Sequence, residues 1–358
     1  MTAEPSHNIA SPSELREHVH QVVAARDIDA PGRLVCFGPQ VVRIVVHADQ
    51  EADALLRALR QAPKAVEPAP ILTVHLVDGQ VCGVPRPRLA WTAADFGLKR
   101  RVPGWSDDEL EVFLLRSERG FGVVDWRRAV ALVWIPSVDA LPEWELAAPF
   151  RWLFDGLALR YGLLNLHAAV VGRPDAGVLI AGPGGSGKST LALSCLAAGL
   201  GCAGDDYCLV ERRGGLRVHS LYSAAKWRAG APVRPSAVDE LADSATVHRG
   251  EKTIVFLGEA APDRLLETTV VRAIILPELG RGADVRVTGA PAHLAFRGLA
   301  PSTLAQSEAD ATQLAQGIAN LARRVPAFRV VMPPDPGVAA ACLAELIDEL
   351  DGRRVAAP

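Results

Sequence analysis

The sequence lacks the cysteine patterns of secreted disulfide-rich domains and of structural zinc sites. Its six cysteines are Cys36, Cys82, Cys195, Cys202, Cys208 and Cys342. None of them forms a CxxC pair, and none stands at zinc-ligand spacing from a histidine. Scattered cysteines in a chain of 358 residues predict reduced, mostly buried thiols, which fits the cytoplasm better than a secreted disulfide framework.

The sequence also lacks long hydrophobic runs and a large net charge of either sign. No run approaches the roughly 18 apolar residues needed to span a bilayer, and Met1–Asp29 contains no continuous apolar segment typical of a signal peptide. A formal net charge of −3 gives no global attraction to nucleic acid or to anionic membranes. We therefore predict a soluble cytoplasmic protein that binds neither.

Hydrophobic residues make up 49% of the chain and charged residues 22%, an ordinary globular composition with room for two domains. Residues 1–142 predict an N-terminal, β-rich α+β domain. Within it, Leu34–Cys36 and Val41–Val46 have the character of strands, and three apolar runs between Val112 and Ile135 predict an antiparallel meander. No motif in this part indicates a chemistry, so its role stays open.

Residues 143–358 predict an α/β catalytic domain. From Glu143 to Tyr161 apolar residues return every three or four positions, which predicts one amphipathic helix. Leu166–Val171 and Val178–Ala181 then read as short strands that lead into a glycine-rich segment. Strands and helices alternate from there to the C-terminus, with one helix predicted over Ser307–Arg324.

The glycine-rich segment Gly182–Ser189 reads GPGGSGKS and matches G-x-x-x-x-G-K-[ST] at every required position. Glycines allow successive backbone N–H groups to curve around phosphate oxygens, and the following helix adds its positive end. We predict a P-loop for ATP or GTP with Mg²⁺, in which Lys188 reaches the β- and γ-phosphates and Ser189 binds the metal. The predicted nucleotide contacts are Gly182, Gly184, Gly185, Ser186, Gly187, Lys188, Ser189 and Thr190.

Two adjacent carboxylates, Asp205 and Asp206, follow the short run Cys202–Gly204. We expect this run to be a strand beside the P-loop strand, which would place the pair at a carboxyl end of the sheet. Phosphoryl transfer needs carboxylates there, to hold Mg²⁺ and to accept the proton of an attacking hydroxyl. Mutual repulsion would separate their pKa values. An exposed Asp-Asp turn is the alternative interpretation.

Several further residues are candidates for contacts with phosphate. His167, in the predicted strand two before the P-loop, is either a buried structural group or a catalytic one. Lys226, Arg228 and Lys252 either support phosphate or acceptor charge or belong to the solvated surface. Arg297 precedes Gly298 in a loop-like stretch and is a candidate for acting across an oligomer interface.

The histidine, the P-loop and the acidic pair together resemble the catalytic domain of HPr kinase/phosphorylase and its relatives. In that family a histidine-bearing strand, a turn, a P-loop strand, the P-loop and an Asp-Asp pair follow in this order, and the spacings are the same here. The match is specific from Leu166 to Asp206 and diffuse towards the C-terminus. It implies a P-loop kinase core related to that of phosphoenolpyruvate carboxykinase, and members often form hexamers.

The resemblance also implies roles for individual residues. Asp205 would be the general base that activates a serine hydroxyl, Asp206 would support the metal and the substrate, and His167 would lie near the transferred phosphate. The family's second signature, a glycine-rich segment after an Arg-Gly pair, is not recognisable in Leu221–Arg228. The chain is therefore more similar to divergent HPr-kinase-related proteins, some of which modify peptides or small molecules.

Three functions are compatible with these features. The first is a kinase that phosphorylates a serine or another hydroxyl of a protein, peptide or small molecule. The second is an NTPase switch with water as the only acceptor, and the third is a nucleotide-binding protein without catalysis. The first is favoured because Asp205 follows the P-loop closely, whereas the NTPase-like run Val271–Leu276 ends in Pro277-Glu278 without an aspartate.

Overall fold

The structure, a computed structural model, describes residues 8–26, 32–48, 53–59, 69–91, 101–102, 104–115, 120–228, 246–249 and 252–352. These residues form several β-sheets with helices packed against them, a mixed α/β fold. The chain divides into two compact units, residues 1–56 with 61–142 and residues 57–60 with 143–358. In the described part, no helix is both long enough and apolar enough to cross a membrane.

The first unit contains a six-stranded sheet in the order β2-β3-β4-β8-β7-β6 and a separate parallel pair, β1-β5. The strands are β1 (Asn8–Ile9), β2 (Arg33–Phe37), β3 (Gln40–His47), β4 (Thr73–Asp78), β5 (Arg88–Leu89), β6 (Leu110–Leu114), β7 (Phe121–Asp125) and β8 (Val130–Ile135). Strand β4 runs parallel to β3 and β8, whereas the other neighbours in the large sheet are antiparallel. The predicted meander over β6, β7 and β8 is thereby confirmed.

Helix α1 (Pro12–Ala24) packs on this sheet and begins with strong local signals. The Ser11 side chain accepts a hydrogen bond from the Glu14 backbone N–H, and proline occupies the first turn, where no N–H is needed. Its buried side chains are Leu15, Val19, Val22 and Val23. The other helical segments are α2 (Asp53–Arg57), whose last residue belongs to the second unit, and a 3₁₀ turn at Val138–Ala140.

The second unit is built around a nine-stranded sheet and a three-stranded sheet. The strands are β9 (Leu163–Leu166), β10 (Ala169–Gly172), β11 (Gly177–Ile180), β12 (Gly201–Gly204), β13 (Cys208–Glu211), β14 (Arg217–Ser220), β15 (Ala224–Arg228), β16 (Thr246–Arg249), β17 (Lys252–Phe256), β18 (Thr268–Leu279), β19 (Arg286–Ala290) and β20 (Ala327–Met332). The large sheet runs β12-β10-β11-β18-β14-β13-β9, with β20 pairing with β18 and β19. The small sheet runs β15-β17-β16.

Helices cover two separate cores of the large sheet. They are α3 (Glu143–Ala147), α4 (Arg151–Arg160), α5 (Lys188–Ala197), α6 (Leu257–Ala260), α7 (Ala292–Gln306), α8 (Ala311–Arg324) and α9 (Pro336–Gly352), with a 3₁₀ turn at Pro262–Arg264. Side chains of α7 and α8 pack with strand residues in one core, and side chains of α5 and α9 pack with strand residues in the other. This layering buries alternate residues of β11 and β18 in different cores.

The single helix predicted over residues 143–161 is wrong, because the structure contains two helices, α3 and α4. Phe150 caps α4 with a positive φ of 57°, in the left-handed region that no helix interior contains. The apolar spacing continues across the break because Leu146, Phe150 and Leu153 are all buried. The periodicity of apolar residues therefore predicted which side chains are buried, but it did not predict the turn of the backbone between the two helices.

The loop-like interpretation of Arg297 is also wrong, since Arg297 and Gly298 lie inside helix α7. Gly298 is required by packing: a Cβ there would stand 2.6 Å from Leu276 Cδ2. Pro301 lies inside the same helix and obscured it in the sequence. The strand expected beside β11 is corrected as well, because β10 lies between β11 and β12 and pairs antiparallel with both.

Candidate functional site

The predicted P-loop lies between β11 and α5 and forms a glycine-rich loop, which we define as residues 182–187. Gly187 has φ of 94° and caps α5 in the left-handed region, and Gly185 has φ of 80°. At Gly187 the space is restricted too, because a Cβ would stand 2.6 Å from Met332 Cε. Gly184, by contrast, has open space around it. Glycine is thus needed at the turn into the helix for two physical reasons.

Lys188, the first residue of α5, is buried and folds back over the glycine-rich loop. Its Nζ donates hydrogen bonds to the carbonyl oxygens of Gly182, at 2.9 Å, and of Pro183, at 3.2 Å. Burial lowers the pKa of Lys188, while the nearby charges of Asp206 and Asp205 oppose that shift. The ammonium group therefore lies between the loop and the acidic pair. Ser186 Oγ, also in the loop, is buried without a hydrogen-bond partner among the described residues.

The acidic pair occupies the turn between β12 and β13, at the same edge of the sheet as the glycine-rich loop. The register shows this: Gly204 pairs with Val170 of β10, whose neighbour Ala169 pairs with Ile180 at the end of β11. A Cβ at Gly204 would stand 2.6 Å from the Tyr207 carbonyl oxygen, so the turn is tight. The structure thus brings the pair and the loop together although β10 separates their strands.

Asp205 is 2% exposed, and its two carboxylate oxygens differ. Oδ2 accepts a hydrogen bond from the backbone N–H of Lys226, at 3.1 Å. Oδ1 is buried and receives no hydrogen bond of ordinary geometry from any described residue, although the Ser189 side chain is close enough to lower the pKa of the carboxyl. Burial and the charge of Asp206 outweigh these groups and raise the pKa of Asp205 to about 6.

Asp206 has two basic partners. Its Oδ1 lies 3.2 Å from His167 Nε2, and its Oδ2 forms an ion pair with the Lys226 ammonium. Burial acts to raise the pKa of Asp206, but Lys226 and His167 more than offset it and hold that pKa well below its usual range. The two neighbouring carboxyl groups are therefore driven in opposite directions, as is common where titratable groups perform different tasks.

His167 lies between β9 and β10, so the prediction that it belongs to a continuous strand over residues 166–171 is wrong. Its backbone N–H donates to Thr303 Oγ1 at 3.1 Å, and its ring centroid lies 5.3 Å from that of Tyr207. The side chain is 12% exposed, and no described residue forms a hydrogen bond with Nδ1. The backbone contact with Thr303 and the packing against Tyr207 hold the His167 ring in place, and its Nε2 lies within hydrogen-bond distance of Asp206.

The structure adds residues that the sequence did not identify. Tyr207 donates a hydrogen bond to Gln306 Oε1, and the Arg151 guanidinium lies 5.4 Å from the Tyr207 ring centroid. The position of Tyr207 directly after Asp206 was a usable signal. Thr303 and Gln306 could not be found because they are distant in sequence from the residues they contact, His167 and Tyr207.

The remaining candidate cations, Arg228, Lys252 and Arg297, also belong to the second unit. Lys252 of β17 pairs in register with Arg228 of β15, whose side chain lies outside the described part. Arg297 is exposed on α7. Neither Lys252 nor Arg297 forms a side-chain hydrogen bond or ion pair with the residues that the structure describes. Of the proposed phosphate-supporting cations, Lys226 and Lys188 are the two that the structure shows interacting with the acidic pair.

The oxygen donors of the site suit a hard cation. Within the described ranges no group of three or more His, Cys, Asp or Glu side chains could hold a metal by itself. Mg²⁺, however, is usually held by one or two carboxylates together with substrate phosphates. The Ser189 hydroxyl and the carboxyl groups supply such donors, and among the described residues none gives the buried Asp205 Oδ1 a hydrogen bond of ordinary geometry.

No protein-family model matches the chain, and no curated protein is significantly similar to it in sequence.

Proposed function

We propose that this chain is an ATP-dependent phosphotransferase that moves the γ-phosphate to a hydroxyl group, with Asp205 as the general base. The observation that carries the proposal is the asymmetry of the acidic pair beside the glycine-rich loop. Asp205 is buried with a pKa of about 6, whereas Asp206 is held ionised by Lys226 and His167. A base with a pKa near neutrality is ionised at pH 7 and still basic enough to take a proton from an attacking hydroxyl.

In the proposed reaction the acceptor oxygen attacks the γ-phosphorus and a new O–P bond forms. The bond between that phosphorus and the β,γ-bridging oxygen breaks, and its electron pair leaves on the nucleoside diphosphate. The acceptor's proton passes to Asp205, whose Oδ1 receives no ordinary hydrogen bond within the described residues. Lys188, placed between the loop and the acidic pair, would stabilise charge on the phosphates.

Ser189 and Asp206 are the residues that would hold Mg²⁺ in this site. When bound, the cation would neutralise phosphate charge. Asp206 would then contact three groups, the cation, His167 and Lys226, because its oxygens already contact the last two.

The order β11, glycine-rich loop, α5 supports the proposal of a P-loop kinase core like that of phosphoenolpyruvate carboxykinase. The proposed partners are a nucleoside triphosphate, ATP or GTP, and a serine or other hydroxyl of a protein, peptide or small molecule. Arg297, exposed on α7, is the candidate for acting on a bound phosphate from a neighbouring copy in a homo-oligomer.

One observation favours the alternative of an NTPase switch. Asp205 is only 2% exposed, so a water molecule would reach its carboxylate more easily than a bulky acceptor would. In that reaction the same groups act, and water replaces the hydroxyl as nucleophile. The two functions differ in the fate of the γ-phosphate.

The test is transfer of label from γ-labelled ATP with Mg²⁺, for the wild type, Asp205→Asn and Lys188→Ala, against seryl peptides and small hydroxyl compounds. We expect label on an acceptor with the wild type, nucleotide binding without transfer in Asp205→Asn, and no nucleotide binding in Lys188→Ala. Release of inorganic phosphate with no labelled acceptor would support the switch instead. Equal ATP binding by the wild type and Lys188→Ala would contradict both.

A further inference from the structure

Among the large hydrophobic side chains in the described part of the chain, Leu279 at the end of β18 is the most exposed. It is 69% exposed, although the strand that carries it is largely buried up to Pro277. Exposed leucines are common on protein surfaces, so exposure alone carries no function. The position of Leu279 relative to the glycine-rich loop is what distinguishes it.

Leu279 lies beside the last glycine of that loop. A Cβ built on Gly187 would stand 3.6 Å from Leu279 Cδ2 and 2.6 Å from Met332 Cε. Leu279 pairs with Met332 across β18 and β20, and β18 continues to Leu279 beyond Ile275, which pairs with Ile180 at the end of β11. The two strands therefore extend past the edge of the sheet and place apolar side chains next to the start of α5.

The acidic pair lies on the other side of the loop. In sheet order the strands at this edge are β12, β10, β11 and β18, so Asp205 follows β12 on one side of β11 and Leu279 ends β18 on the other. A triphosphate in the loop must direct its γ-phosphate towards Asp205 for transfer. Its nucleoside then extends in the opposite direction, towards β18 and β20.

We propose that Leu279, whose strand partner Met332 is buried in the core at 1% exposure, is the apolar side chain on which the nucleobase of the bound nucleoside triphosphate rests; this inference depends on the proposed nucleotide binding. A purine offers a flat apolar face of the kind that such side chains cover in ligand sites. The neighbouring polar groups, Glu278 and Arg329, are already joined by two hydrogen bonds of 2.9 and 2.7 Å. The proposed contact is with the face of the base, which adenine and guanine share as purines, so ATP and GTP should bind with similar affinity.

The experiment compares the binding of Mg-ATP, Mg-GTP and Mg-tripolyphosphate by titration calorimetry. Tripolyphosphate carries the phosphates and lacks the nucleoside, so an effect of Leu279 that requires the nucleoside should be absent with this ligand. For Leu279→Ala we expect ATP and GTP affinities to fall by about 5- to 20-fold, because part of an apolar contact is lost. Tripolyphosphate affinity should stay at the wild-type value, and Leu279→Met should restore ATP binding.

Val81→Ala removes an exposed apolar side chain in the first unit, 50% exposed, and serves as the matched control with no change expected. The base-surface proposal is overturned if Leu279→Ala binds ATP as tightly as the wild type, or if it weakens ATP and tripolyphosphate equally. Failure of the nucleotide-binding proposal has a different signature, since the wild type would then bind neither ATP nor tripolyphosphate.

Discussion

Lys226 forms an ion pair with Asp206 while its own backbone N–H donates to Asp205, so one residue supports both members of the acidic pair. The support is unequal. Asp206 receives a full positive charge and a histidine nitrogen, and Asp205 receives one backbone hydrogen bond in a buried environment. This inequality explains why the pKa of Asp205 rises while that of Asp206 falls, and it makes Asp205 the carboxyl of the pair that can accept a proton near neutral pH.

The first prediction concerns the pH dependence of turnover. Asp205 accepts a proton only when it is ionised, and its pKa is raised to about 6. The value of kcat/KM for Mg-ATP, which reports ionisation of the free enzyme, should therefore rise about tenfold per pH unit below about pH 6 and level off above it. The same measurement on Asp206→Asn provides the control, because removing that neighbouring charge should move the midpoint to lower pH. A profile with a midpoint near pH 4 in the wild type would contradict the assignment.

The second prediction concerns stability without ligand. Because the folded-state pKa of Asp205 lies above its unfolded value, the folded protein holds this proton more tightly, and stability falls as pH rises from about 4 to about 6. Asp205→Asn removes this loss of stability, because asparagine does not ionise. Its melting temperature should exceed that of the wild type by about 2–6 °C at pH 7.5, and the difference should vanish below about pH 4.

Asp206→Asn should change stability in the opposite direction. This substitution leaves the Lys226 ammonium, whose side chain is 13% exposed, without its anionic partner. A depressed carboxyl pKa contributes stability above the unfolded pKa, and the substitution removes that contribution at neutral pH. Melting curves in which both variants shift in the same direction at pH 7.5 would show that the two carboxyl groups are not held unequally.

The third prediction distinguishes two glycines of the loop. Gly187→Ala forces a Cβ into the left-handed region and towards Met332 Cε, so it should cost about 1–3 kcal/mol of stability and weaken nucleotide binding. Gly184→Ala meets no atom within 4 Å and should melt like the wild type. Melting temperatures and ATP titrations of both variants provide the check. Equal losses of stability would show that the conformation at Gly187 is not the reason for its glycine.

Much of the site could be predicted because its residues are close in sequence to strong local signals. The glycine-rich loop follows a buried apolar strand, and Asp205 follows the next strand after the loop helix. The order of those strands in the sheet could not be predicted from the sequence. The antiparallel hairpin of β10 and β11 places β10 between β11 and β12. Short strands carry no information about which neighbour they pair with.

Other parts of the site depend on contacts between distant segments. Lys226 is 20 positions beyond Asp206 in sequence (226 minus 206), and only the fold places its ammonium on that carboxylate. Thr303 Oγ1 accepts a hydrogen bond from the His167 backbone N–H. Thr303 lies in helix α7, which contains Pro301, a residue of very low helix propensity. Long-range pairing and tertiary packing override local propensity at both positions.

The last prediction concerns the buried ion pair of Arg151 and Asp155, in which the Arg151 guanidinium also lies near the Tyr207 ring. Arg151 Nη1 lies 3.8 Å from Asp155 Oδ2, with side chains 12% and 3% exposed. Burial raises the pKa of Asp155 to about 6, with Arg151 acting against that rise. Arg151→Met leaves this carboxyl without its cation and removes the donor to the Gln306 carbonyl oxygen. We expect a loss of about 2–4 kcal/mol, seen as a melting temperature lower by about 5–15 °C.

The matched control is Arg173→Met, which breaks an ion pair with Asp348 at the surface. That pair has better geometry, with two hydrogen bonds of 2.6 and 3.0 Å, but its side chains are 47% and 55% exposed. Solvent screens such a pair, so the variant should lose at most about 1 kcal/mol. If the two variants melt alike, burial does not set the energy of the Arg151–Asp155 pair. The greater loss for Arg151→Met would show that a longer ion pair can matter more than a shorter one when its carboxyl cannot reach water.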